Sequence, residues 1–128
     1  MSINIEISVG ELLDKITILE IKTERIADQE KLKNIRKELS VLKTLWEKSP
    51  YTEYKLENEV ASLKEVNEKL WEIEDEIRDK ERNKTFDEGF VKLARAVYVT
   101  NDERAEIKRN INIKTGSELV EEKSYSDY

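Results

Sequence analysis

Leu32-Lys-Asn-Ile35-Arg-Lys-Glu-Leu39-Ser-Val-Leu42-Lys-Thr-Leu-Trp46 decides the fold class. Leu32, Ile35, Leu39, Leu42 and Trp46 follow one another at spacings of three, four, three and four. That is the rhythm of a helix laying one narrow apolar seam against a neighbour, as in a coiled coil. Downstream, Leu56, Val60, Leu63, Val66, Leu70, Ile73 and Ile77 form a second and longer seam. Ser49-Pro50 separates the two, and a proline restricts the residue before it away from helical geometry. The pattern predicts helices over about 28–48 and 53–83, joined as a long antiparallel hairpin hinged at 48–53.

Upstream, Ser8-Val-Gly-Glu11 has the form of a capping box. It opens a helix expected to run to about Ala27. Leu12, Leu13, Ile16, Ile18, Leu19, Ile21 and Ile26 cover more than half of its circumference, so several neighbours should contact it. The seam slips by one residue between Ile26 and Leu32, which places a break at Asp28, itself a good N-cap. Thr85-x-x-Glu88 and Thr100-x-x-Glu103 repeat the capping-box form and predict a fourth helix to about Val99 and a fifth to about Ile113. Gly116 is a natural stop. Residues 3–9 alternate Ile3, Ile5, Ile7 and Val9 with polar residues, the period of a half-buried strand. With the extended tail 119–128 they are candidates for a short strand pair. The expected fold is all-α, an antiparallel helical bundle forming one domain over 1–128.

Composition narrows the chemistry. The 128 residues hold no Cys and no His, three Gly and one Pro, and carry a formal charge of -6. Disulfides, thiolate metal sites, cysteine nucleophiles and imidazole bases are therefore excluded. The acidic balance and the interleaving of Glu with every basic stretch argue against nucleic acid. No stretch approaches the ~20 apolar residues of a membrane span. Met1-Ser-Ile-Asn-Ile-Glu has no basic, apolar leader pattern, so a cytoplasmic location is expected. Carboxylate pairs one turn apart, such as Glu65–Glu68 and Glu72–Asp75, are no commoner than chance in so Glu-rich a chain. Neither metal nor cofactor is expected.

Charged residues on apolar helices are more informative. Asp14, Lys15 and Glu20 lie in the first helix among aliphatics. Arg95 stands one turn from Val91 and Tyr98, and Arg104 and Lys108 share a face with Asn101. An unpaired buried charge costs several kcal/mol, so structural ion pairs are expected, for example Arg95 with Asp14 or Glu20. The sharper alternative is an anion pocket of Arg95, Arg104, Lys108 and Arg25, because planar guanidinium forks suit phosphate and carboxylate. Asp14, Lys15, Glu20, Arg78, Tyr98 and Asn101 would support it. Trp46 and Trp71 read as core or interface aromatics. The apolar seams exceed what the first helix alone can cover, which points to a homodimer.

Three stretches carry a resemblance. They are Ser8 to Lys22, Leu70-Trp-Glu-Ile-Glu-Asp-Glu-Ile-Arg78, and Leu93-Ala-Arg-Ala-Val-Tyr98 continuing through Asn101 to Arg109. Together with the tail from Gly116 to Tyr125, they resemble an uncharacterised family of small bacterial and phage proteins, a domain of unknown function. Members of that family sometimes lie near genes for surface polysaccharides. The resemblance implies a link to glycans and supplies no catalytic residue. Two functional readings follow. One is a helical binding or interaction module holding an anionic ligand or a protein partner. The other is a small enzyme or binding protein acting on a nucleotide-linked or phosphorylated sugar.

Overall fold

A computed structural model describes residues 2–128. Four α-helices follow one another: α1 (Val9–Arg25), α2 (Gln29–Glu47), α3 (Glu57–Arg82) and α4 (Glu88–Thr115). A short 3-10 turn, Pro50–Glu53, lies between α2 and α3. Among the described residues there is no strand.

The helix ends follow local chemistry. The Glu11 amide donates to Ser8 Oγ at 3.1 Å, which caps α1 as its capping box predicts. Asp28 caps α2 by accepting from the amides of Glu30 and Lys31. Asp87 rather than Thr85 caps α4, accepting from the Phe90 amide at 3.0 Å. An Asp directly before the first turn outcompetes the threonine two residues earlier. Gly116 ends α4 with φ 65, the left-handed conformation that glycine adopts without penalty.

α1 is the hub. It packs against α2, α3 and α4, and α3 and α4 form the most extensive pairing in the molecule. α1 runs antiparallel to α4. Gly10 lies against Asn112 and Lys108, and Asp14 faces Lys108 and Arg104. At one end, Val9, Leu13, Leu56, Leu63 and Ile111 form a core cluster, with Trp46, Tyr51, Val60 and Ile107 packed on it.

Three expectations are corrected. The long hairpin is α3/α4, turning at 83–87, rather than a hairpin of α2 and α3 turning at 48–53. α2 packs chiefly on α1. Leu32 is its one buried residue, and Val41 and Leu45 are exposed. Second, the predicted fourth and fifth helices are the single helix α4, with Thr100 buried inside it. A Thr-x-x-Glu pattern starts a helix only where the chain enters from extended geometry. Here the inward stripe of Val97, Thr100, Arg104 and Ile111 continues without interruption, and no Gly or Pro breaks it.

Third, residues 3–9 and the tail do not pair. The tail doubles back along α4, where Glu121 meets Lys108 at 3.2 Å, Glu122 meets Arg109 at 2.8 Å and Lys123 meets Asp102 at 3.9 Å. Tyr128 packs edge-on against Tyr98, with ring centroids 5.2 Å apart. Charge pairing with α4 prevails over a two-stranded ribbon that would be marginal alone.

Candidate functional site

The middle of the α1/α3/α4 junction is polar. Asp14 is 3% exposed, Thr17 2%, Asn67 5% and Lys108 8%. These residues satisfy one another. Asn67 Nδ2 donates to Asp14 Oδ1 at 2.9 Å and to Thr17 Oγ1 at 3.1 Å, and Thr17 donates to the Asp14 carbonyl at 2.8 Å. Lys108 Nζ donates to Glu11 Oε2 at 2.5 Å and stands 3.6 Å from Asp14 Oδ2. The tail adds Glu121, 3.2 Å from the same ammonium. One turn away, the Gly10 amide donates to Asn112 Oδ1 at 2.7 Å, which closes α1 tightly on α4.

Burial alone would raise the Glu11 carboxyl. The hydrogen bond and charge of Lys108, backed by Lys15 and Arg104, outweigh it and hold the group below its ordinary range. Burial alone would likewise lower Lys108. Its hydrogen bond to Glu11 and the charges of Asp14 and Glu11 leave the ammonium raised instead. Both groups are therefore held ionised.

Above this network lies a cleft of about 350 Å³, lined by Ile18, Ile21, Asn67, Leu70, Trp71, Glu74, Asn101 and Arg104. Ile18, Ile21, Leu70 and Trp71 supply its apolar lining, and its polar groups are two amides, one carboxylate and one guanidinium. Arg104 comes no nearer to Asp14 than 4.0 Å, and among the described residues its guanidinium makes no hydrogen bond. Glu74 is engaged by Arg78 at 3.1 Å. Arg25 lies over the Trp71 ring, 6.0 Å from its centroid, and reaches Glu72 at 3.4 Å.

The structure thus brings Arg104, Asn101, Lys108 and Asp14 together, with Arg25 at the rim beside Trp71. It does not bring in Arg95, which is exposed and has no carboxylate within ion-pair distance among the described residues. The expected pairing of Arg95 with Asp14 or Glu20 is absent: Asp14 faces Arg104 and Lys108, more than two turns further along α4, and Arg95 is exposed. Glu20 is half-buried and makes no ion pair among the described residues; Lys64, nearby on α3, is paired with Glu24 at 2.8 Å. Lys15 is exposed, 3.7 Å from Glu11. Arg78 and Tyr98 are also exposed.

Sequence reasoning missed Asn67, Thr17, Asn112 and Glu11, and it read Trp71 as a core or interface aromatic. Asn67 had a signal: it is an amide set between Leu63, Val66 and Leu70 in the apolar seam of α3. Among the described residues no group of three or more acidic side chains could hold a metal ion, and no helix is long and apolar enough to cross a membrane.

Residues 3–128 match the family model of DUF6165, described as a family of unknown function, and the chain belongs to that family. No curated protein and no solved structure matches it.

Proposed function

We propose that the chain is a helical binding module whose α1/α3/α4 cleft takes a small ring compound bearing an anionic group, of the class of a sugar phosphate or nucleotide-linked sugar. The observation that carries this reading is Arg104. It is a five-donor guanidinium at the rim of a cleft, without a hydrogen-bonding partner among the described residues, beside the amide of Asn101 and the ring of Trp71. A guanidinium takes phosphate or carboxylate in two parallel hydrogen bonds. The aromatic and aliphatic lining suits a ring face, and the volume falls within the ~300–1,000 Å³ of ligand pockets. Holding a ligand is favoured over transforming it, because Glu74 is the one carboxylate among the described residues lining the cleft and no second acid or base stands beside it.

A thermal-shift screen over hexose phosphates, a uridine diphosphate hexose and inorganic phosphate tests this. A fitting compound at a hundred times its dissociation constant adds about 2.7 kcal/mol of stability. Arg104→Ala removes that gain while leaving the fold intact. Failure of every probe to shift the transition, or a shift that survives both Arg104→Ala and Trp71→Ala, overturns the proposal.

A further inference from the structure

The α3/α4 hairpin outruns its cover. α1 ends at Arg25, whose side chain reaches Glu72, and the chain then turns away into α2. Beyond that level the two helices continue for about ten residues each, an arm about 15 Å long. From Glu74 to Val99 no residue is buried. Phe86 is 58% exposed, Val91 53% and Tyr98 43%. Ile77, Phe90, Leu93, Ala94 and Val97 are half-buried although every one is apolar.

The pattern on α4 shows what is missing. Phe90, Ala94, Val97, Asn101, Arg104 and Lys108 recur every three or four residues and form one stripe. α1 covers that stripe from Asn101 onward, at the cleft and the polar network. Along the arm, no helix among the described residues takes the position that α1 would occupy. Two helices with no third neighbour can bury only part of such a stripe, and pairing two hairpins into four helices completes the burial.

We propose that this slot is filled by the same arm of a second copy, antiparallel about a two-fold axis. The charges favour a second copy over another helix. On α4, Lys92 and Arg95 have no acidic partner among the described residues. On α3, Asp75, Glu76 and Glu81 have no basic one. An antiparallel two-fold sets Arg95, near the base of one arm, opposite Glu81, near the tip of the other, and repeats the pair in reverse. It also brings the 83–87 turn of each copy, with Phe86, to the open end of the other copy's cleft beside Trp71 and Asn101. Each cleft is then walled on its open side by the second copy. The footprint is small beside the ~1,200–2,000 Å² of standard stable interfaces, so association is concentration-dependent. The association itself does not depend on the ligand reading.

Sedimentation velocity of the full chain without ligand tests the proposal. The particle grows from 15.1 kDa toward twice that mass as concentration rises through the micromolar range. Phe86→Glu with Val91→Glu, both exposed positions, keeps the helical circular dichroism and holds the protein monomeric. Arg95→Glu weakens association about tenfold, because the two-fold counts each pair twice. Adding Glu81→Arg to Arg95→Glu restores it. Val41→Glu with Leu45→Glu, on the exposed face of α2, leaves it unchanged. A monomer at several hundred micromolar, dissociation by the α2 pair rather than the arm pair, or no rescue by the charge swap overturns the proposal.

Discussion

Gly10→Ala is the sharpest test of how α1 meets α4. In most helices this change stabilises by about 1 kcal/mol, because alanine has the better helix propensity. Here the added Cβ would lie 2.5 Å from the Lys108 carbonyl oxygen and 3.0 Å from Asn112 Oδ1. The first of these atoms is backbone in the middle of α4 and cannot swing aside. α1 must therefore back away from α4, at a cost of about 1–3 kcal/mol in overpacking. The displacement also strains the 2.7 Å hydrogen bond from the Gly10 amide to the buried Asn112, a loss of about 1–3 kcal/mol if it breaks. Set against the propensity gain, the net is a loss of about 2–3 kcal/mol. Urea denaturation followed by far-ultraviolet circular dichroism measures it. Gly89→Ala is the control: there the new Cβ meets chiefly the end of the flexible Lys80 side chain at 2.9 Å, which can move. That variant gains about 0.5–1 kcal/mol. If Gly10→Ala is neutral or stabilising, the close α1–α4 approach is wrong.

Other outcomes follow from the same contacts. Lys108→Met strips the buried Asp14 and the half-buried Glu11 of their shared cation and costs about 3–5 kcal/mol in the same denaturation assay. Arg95→Ala, on the exposed arm, changes the stability of the monomer by no more than about 0.5 kcal/mol, and a loss above about 3 kcal/mol would mean a buried partner exists. Glu11 is held below its ordinary value of 4.5, so its contribution is present above that pH and is lost as pH falls through its folded-state pKa; Glu11→Gln should flatten the acid limb of urea midpoint against pH. Lys108 is held above its ordinary 10.5, so its contribution is complete below that pH and is lost as pH rises through the folded-state value, a limb that Lys108→Met removes.

The helices were legible because their information is local. Ser8, Asp28 and Gly116 carry their own start and stop chemistry, and the seam of α3 has one unbroken period. Which helix faces which was not legible. The three-four rhythm of Leu32 to Trp46 says that α2 owns an apolar stripe, but only α1 receives most of it, with Trp46 reaching the core cluster, and the sequence does not count the neighbours. Thr100-x-x-Glu103 misled because a capping pattern looks the same inside a helix as at its start. In the site, Arg104, Lys108 and Asp14 stood out as charges among aliphatics. Arg95 stood out equally and lies elsewhere. Its neighbours Val91 and Tyr98 are themselves exposed, and where α1 stops relative to α4 is a tertiary fact.

Because α4 is one unbroken helix, it is a rod about 42 Å long that joins the arm tip to the buried cluster. A rod of that length acts as a lever. A tilt of about 5° pivoting at the arm tip carries Arg104, about 24 Å along the rod from Glu88, through roughly 2 Å, enough to make or break a hydrogen bond. Whatever grips the tip therefore exerts torque on the cleft. Reciprocity requires the converse: a compound that prefers one tilt must strengthen or weaken the grip at the tip by the same factor.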